Sequence, residues 1–310
     1  MRVFVAGASG AIGGPLIRQL VAAGHEVTGM TRREERAEAI RAAGANGIVC
    51  DAFDREALGA AVKTASPEVV INQLTSLPQT YNPRSIDYGP TNRVRSEGGG
   101  NLIEAARAAG ARRFLTQSIA FLYAPEGDWV KDEEGRPFDD APEPFRTGVR
   151  AMLQHERAVL AAEGLDGLVL RYGQFYGPGT YFAPDGDIAN QVRKRRFPVV
   201  GPGAGTFSFI HVEDCAGATI AALDRGAPGI YNIVDDEPSP LREWLPIYAD
   251  ALGVKPPRRV PAWLARLVGG KAAAAFATQL RGASNQKAKR ELGWAPRYPS
   301  WRQGFREALG

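Results

Sequence analysis

Residues 2–13 read "RVFVAGASGAIG", and the reading of this stretch decides the fold. Arg2 to Ala6 is almost wholly apolar, as a strand covered by helices on both faces would be. Gly7, Gly10 and Gly13 follow at three-residue spacing and open "AIGGPLIRQLVAAG", a helical pattern with Pro15 in its first turn and Gly24 as its stop. A Cβ at these glycines would obstruct either the tight turn or a phosphate drawn up to the backbone. The free amides at the helix start then face negative charge. The spacing is a GxxGxxG variant of the dinucleotide fingerprint, with Ser9, Ala11 and Ile12 as the other loop positions expected around a pyrophosphate.

Outward from this turn the alternation continues. "HEVTGM", "GIVC", "EVVINQL", "RRFLTQS" and "GLVLRYG" read as strands. Between them lie helical patterns in "REERAEAIRAAG", "DREALGAAV", "NRVRSEGGGNLIEAARAAG" and "RTGVRAMLQHERAVLAAEG". The succession predicts an α/β fold of Rossmann type, a doubly wound parallel sheet with right-handed crossovers. The expected division is a dinucleotide-binding part over 1–172 and a smaller, mostly helical substrate-binding cap over 173–310, with 207–235 returning to the sheet. Gly and Pro crowd "YGPGTYFAPDG" and "FPVVGPGAGTF", which suggests loops over a cleft.

Composition narrows the class. Of 310 residues 44% are hydrophobic and 23% charged, ordinary for a soluble globular protein. No apolar run approaches the roughly 20 residues that a spanning helix needs, so no membrane partner is expected. The opening strand-and-turn pattern does not read as a signal peptide, and two cysteines, Cys50 and Cys215, fit a reducing cytoplasm. Three scattered histidines leave no metal-ligand cluster to predict. The formal charge is +4, and the basic runs "TRREER", "RKRR" and "KPPRR" lack interleaved stacking aromatics. No nucleic-acid partner is therefore expected, only a small-molecule substrate.

The second strand indicates the cofactor. Where an NAD site carries a carboxylate for the ribose hydroxyls, this chain has Thr31, Arg32 and Arg33, with Glu34 and Glu35 after them. A guanidinium fork holds a ribose phosphate by paired hydrogen bonds and a carboxylate repels it, so NADP(H) is expected rather than NAD(H).

Taken together these motifs resemble the extended short-chain dehydrogenase/reductase family, which includes sugar-nucleotide epimerases, dehydratases and ketone reductases. "VFVAGASGAIG" resembles its cofactor loop and "CDAFD" the segment whose Asp51 and Ala52 would meet the adenine. "INQLTS", with Gln73 and Leu74, is similar to the strand-four segment beside the cofactor. "TNRVRSEGGGNLIEAA" is similar to the helix in which Asn92 would support the site. "LRYGQFYGPGT", with Tyr172 and Phe175, resembles the stretch that wraps the nicotinamide, and Gln117 would flank it from strand five. "FIHVEDCAGATIAAL" and "AKRELGWAPRYPSWRQGFREAL" resemble the later strand and helix and the C-terminus. The family also implies, by analogy, a homodimer paired through two long helices.

The departure lies in "RTGVRAMLQHERAVLAAEGL". The family's Tyr-x-x-x-Lys pair precedes a glutamate by four positions from the lysine. Counting back from Glu156 puts Met152 at the lysine and Gly148 at the tyrosine. Neither replacement donates a proton to a developing alkoxide. Within "TQSIAFLY", Ser118 is the expected counterpart of the family's serine, aimed at a substrate carbonyl. Tyr123 and Tyr176 are the principal candidates for a substitute acid, with Tyr181, His155 and His211 beside them. On the substrate side Phe207 stands where sugar-nucleotide members carry a diphosphate-gripping arginine, although Arg193 is an alternative grip. With Phe175, Tyr181 and Phe182, Phe207 suggests an apolar pocket, and Gln174 is placed to bond a substrate oxygen. The expectation is an NADP(H)-dependent ketone or aldehyde reductase, or alcohol dehydrogenase, acting on a small or aromatic carbonyl. Two alternatives stand beside it: a non-catalytic NADP(H) sensor, and a sugar-nucleotide epimerase or dehydratase.

Overall fold

The computed structural model describes residues 1–309 apart from 79, 81 and 83–85. Strands and helices alternate from the start: β1 (Arg2–Ala6), α1 (Gly13–Ala22), β2 (Glu26–Thr31), α2 (Glu34–Ala42), β3 (Asn46–Val49), α3 (Arg55–Ala65) and β4 (Val69–Asn72). A long helix α4 follows, built from Gly89–Arg93, a π-turn Val94–Gly98 and Gly99–Ala108 without interruption. After it come β5 (Arg113–Ile119), α5 (Phe145–Leu160) and β6 (Asp166–Tyr172). The chain continues with α6 (Asp187–Arg193), α7 (Val212–Ala221), β7 (Gly229–Ile233), α8 (Leu241–Ala251), α9 (Ala262–Gln279), α10 (Gln286–Leu292) and α11 (Trp301–Leu309).

The seven strands form one parallel sheet in the order β7-β6-β5-β4-β1-β2-β3. The order reverses between β1 and β4, and ligands of such sheets bind beyond the carboxyl ends of the strands at that point. Alternation within β1 shows why both faces are covered. Val3 and Val5 pack with Leu16, Ile17 and Leu20 of α1, whereas Phe4 and Ala6 pack with Leu58, Val62 and Leu102 on the opposite face. α7 lies on the α1 side, its Cys215 and Ala218 in the same core, and β7 pairs in parallel with β6.

The helices α4 and α5 approach closely where side chains are missing. A Cβ on Gly99 would stand 2.5 Å from the His155 ring, so a larger residue would push the two helices apart. Beyond the sheet, Phe182, Phe207, Phe209, Trp244, Tyr248 and Phe305 form an aromatic cluster that joins α8 and α11 to the loop after β6.

Candidate active site

A cavity of about 860 Å³ runs along the carboxyl ends of β1, β2, β4, β5 and β6 and continues beneath Phe276 and Leu280 of the C-terminal part. One end is the glycine turn. Gly7 has φ +84°, and a Cβ there would lie 2.5 Å from the Gln73 carbonyl oxygen. A Cβ on Gly13 would lie 2.5 Å from the backbone of Ala8. These two glycines let the turn fold against β4 and itself. Gly10, by contrast, meets only the Gly7 oxygen at 3.4 Å and leaves its outer side to the cavity. Gly14 and Leu16 already donate to Gly10 and Ile12, whereas the Ala11, Ile12 and Gly13 amides have no backbone acceptor among the described residues and can meet a pyrophosphate.

Ser9, Ala11, Ile12, Thr31, Arg32 and Arg33 line this end, as do Gln73, Leu74, Gln117 and Phe175 further along. The Ser9 and Thr31 hydroxyls bond at 3.0 Å, tying the turn to the end of β2. The sequence reading missed Arg36, whose guanidinium lines the same end and reaches the Ser9 carbonyl at 3.4 Å. Its signal was available in "RREER", one helical turn beyond Arg33. Glu34 does not oppose an anion here, because Arg41 holds its carboxylate at 2.7 Å. The glycine cradle and the arginine cluster fit a dinucleotide.

Four cofactor positions expected from the sequence stay out of the cavity wall. Asp51 is exposed and caps its own turn, accepting from the Phe53 amide at 3.0 Å; Ala52 is buried under Gly98. Asn92 accepts from Arg95 one turn along α4, and the Tyr172 hydroxyl is taken by Thr219 at 2.7 Å and by Gln73 at 3.1 Å.

The proton-donor candidates are held in place by their neighbours. Ser118 lines the cavity, but its hydroxyl donates to Glu156 Oε1 at 2.5 Å; in this arrangement it offers a substrate a lone pair and no proton. Glu156 is also gripped by Arg171, at 2.6 Å and 2.9 Å, in a buried bidentate pair. Burial works against the Arg171 cation, and the Glu156 contacts outweigh it, holding the guanidinium above its ordinary range. Arg171 donates in turn to the Tyr123 hydroxyl at 3.2 Å, which donates to Asn232 at 2.7 Å. Burial pushes Tyr123 up to about 12 despite the arginine. Tyr123 reaches the cavity edge with its proton already committed.

Tyr176 is fully buried away from the cavity, its ring against His211 and Phe305 and its hydroxyl over Gly304. His211 accepts from the Glu213 amide and caps α7. His155 sits between Asn72 and Thr116 at 3.2 Å and 3.0 Å, behind the wall. The Tyr181 hydroxyl donates to the Pro78 carbonyl.

Gln174, Tyr181, Phe182 and Phe207 all line the cavity. Phe207 also packs against Trp244, with centroids 5.0 Å apart, so it is both wall and core. Arg193 turns to the Pro184 carbonyl and does not reach the wall.

Two residues at and beyond the start of α4 lie beside the Gly148 and Met152 positions of α5. Met152 is buried and lines the cavity. Beside Gly148 lies the ring of Tyr88, 3.4 Å from where a Cβ would stand. Tyr88, which caps the start of α4, lines the cavity, as does Arg95 in the π-turn seven residues on. Burial raises Tyr88 to about 12 while the Arg95 charge pulls against it. The sequence reading singled out neither residue. Their i, i+7 spacing was visible, but nothing local placed Tyr88 against Gly148.

The chain matches the model of the "NAD dependent epimerase/dehydratase family" over residues 3–234. It is 48% identical over 307 residues to a Streptomyces sp protein named 3-diazoavenalumate denitrifying reductase, covering 98% of this chain and 99% of that one. A Stigmatella aurantiaca 4-hydroxy-2-methyl-3-oxo-4-farnesyl-3,4-dihydroquinoline-1-oxide ketoreductase is 29% identical, over 82% of this chain and 74% of its own. Among solved structures, the UDP-glucose 4-epimerase of Thermus thermophilus in complex with NAD superposes with TM-score 0.75 at 25% identity, covering 100% of this chain and 98% of that chain. Human SDR39U1 with NADPH shares the fold at TM-score 0.76 and 21% identity, covering 100% and 99%. With the phosphate-loop geometry, these matches lead to one conclusion: the chain belongs to the NAD dependent epimerase/dehydratase family, within the extended short-chain dehydrogenase/reductase class of NAD(P)-binding oxidoreductases.

Proposed function

We propose that this chain is an NADP(H)-dependent reductase whose substrate is an aromatic diazo compound. The observation that carries the reading is that Gly148 and Met152 stand where the family's tyrosine and lysine would, beside a cavity that the glycine turn and Phe207 line. A carbonyl that accepts hydride becomes an alkoxide and needs a positioned acid. A diazonium does not: the arene carbon gains the hydride, the C–N bond breaks, and dinitrogen leaves with that bond's electron pair. No protein proton enters the balance. When bound, the reduced dinucleotide supplies the hydride. The chain's own part is to orient the ring and exclude water, for which Phe207, Phe276 and Met152 provide apolar wall. The likeness to the diazo-denitrifying reductase, nearly end to end, supports the same substrate class. NADP(H) in preference to NAD(H) is supported by Arg32, Arg33 and Arg36 at the expected ribose end.

A second reading, reduction of an aromatic ketone, is favoured by one observation. Tyr88 brings a hydroxyl without a hydrogen-bond partner among the described residues to the same cavity wall. The deciding experiment incubates the protein with NADPH and either a ¹⁵N-labelled ortho-diazo phenolic acid or a panel of aryl ketones. The expected result is NADPH oxidation matched by labelled dinitrogen and the arene with hydrogen in place of the diazo group. Turnover of ketones alone would replace the diazo reading with the second one.

A further inference from the structure

Arg95 is an arginine on the cavity wall with no carboxylate counter-charge among the described residues. It stands in the π-turn Val94–Gly98, a helix irregularity that often marks a functional position. Its guanidinium lines the same cavity as Ser118, Met152 and Phe207. Among the described residues its side chain hydrogen-bonds only to Asn92 Oδ1 at 3.4 Å, on its own helix, and no carboxylate acts on it, only the Tyr88 phenol. The other enclosed arginines are provided for. Arg171 has Glu156, Arg113 donates to the carbonyls of Ala222, Arg225 and Gly226, and Arg281 has the Gln279 carbonyl and the Trp129 ring. Burial draws Arg95 down to about 10, which still leaves it charged at neutral pH.

A half-buried cation facing a largely apolar cavity is costly unless something else answers it. Tyr88 adds a second donor on the same wall, with no partner for its hydroxyl among the described residues. The two would grip one end of a flat ligand whose ring lies among Phe207 and Phe276.

We propose that Arg95, assisted by the Tyr88 hydroxyl, binds an anionic oxygen of an aromatic substrate and so selects aromatic acids or phenolates over neutral arenes. This deepens the reading above by naming the substrate's charge, and it rests on that reading for the aromatic ring. Two sources share the chemistry, a carboxylate and a phenolate. One competing use of Arg95 also exists, a contact to the dinucleotide itself.

The test is equilibrium binding to the full chain saturated with NADP⁺, using unreactive probes so that turnover does not enter. The probes are cinnamate (carboxylate only), methyl 4-hydroxycinnamate above its phenol pKa (phenolate only) and methyl cinnamate (neither). In the unaltered protein one or both anions should bind about tenfold to a hundredfold more tightly than methyl cinnamate. Arg95→Gln should erase that preference, Arg95→Lys keep part of it, and Tyr88→Phe reduce it, with NADP⁺ affinity unchanged in each. Whichever anion shows the preference identifies the source. Equal binding of all three probes by the unaltered protein would overturn the proposal. So would an Arg95→Gln protein that keeps the preference but loses NADP⁺ affinity, which would give Arg95 to the cofactor. Should Arg95→Gln not fold, the comparison of probes on the unaltered protein and on Arg95→Lys still decides. Loss of diazo turnover with the anion preference intact would sink the reaction and leave this site standing.

Discussion

At the scale of single residues, the site is defined by which protons are already committed. Ser118, Tyr123 and Tyr181 each donate to a protein acceptor, so three hydroxyls that look catalytic in the sequence serve the scaffold in the structure. His155 makes the same point about charge. Burial lowers its pKa to about 4, Arg95 adds to the shift, and Glu156 opposes it. In the unfolded chain an imidazole titrates near 6.5. Above that pH both states are neutral and its stabilisation is fully present; as pH falls toward 4 only the unfolded state gains the proton, and stability is lost. The loss reaches about 3 kcal/mol over that window. His25 and His211 are also lowered and slope the same way, so the comparison must be with His155→Gln. Urea unfolding at pH 7.5 and pH 4.5 should show the variant less stable at the higher pH but losing about 2–3 kcal/mol less on acidification. Equal losses in both proteins would mean that His155 is not held neutral.

At the scale of elements, the turn between β1 and α1 and the contact between α4 and α5 depend on absent side chains for different reasons. Gly7 needs both its positive φ and its space, while Gly24, with φ +79°, has nothing within 4 Å of a built Cβ. Gly24→Ala should therefore cost only the left-handed penalty, about 1 kcal/mol, and leave dinucleotide binding intact. Gly7→Ala adds a collision with the Gln73 carbonyl and should cost about 3 kcal/mol or more while abolishing binding. Denaturant midpoints and nucleotide titration of the two variants check the contrast; a Gly7→Ala protein that binds normally would refute the account of the turn. The same logic at Gly148 is gentler. A Cβ there would only touch the Tyr88 ring, at 3.4 Å.

For the whole molecule, the cavity joins the sheet's carboxyl edge to Phe207, Phe276 and Leu280, so a dinucleotide and an aromatic ligand would touch both the sheet and the C-terminal helices. Binding to the folded state alone stabilises it by about 2.7 kcal/mol at a hundred times the dissociation constant. At equal sub-millimolar concentrations NADPH should raise the melting temperature more than NADH, and Arg33→Glu with Arg36→Glu should remove or reverse the difference. A larger shift with NADH in the unaltered protein would transfer the preference to NAD(H).

Local rules govern the part of this protein that could be read from its residues unaided. Strand and helix periodicity, the glycines between β1 and α1, and the arginines directly after β2 act over a few residues, so the parallel sheet was legible in the alternation around "RVFVAGASGAIG", and the same stretch with "TRREER" carries the expectation of a dinucleotide. The loss of the usual tyrosine and lysine was legible too, because both would have sat on one helix. What now lies beside those positions was settled only by packing between distant parts of the chain. Tyr88 meets Gly148 across 60 positions, and Ser118 meets Glu156 across 38. Pairings at such separations follow from how α4 and α5 close on the sheet edge, and no period along the chain carries that information.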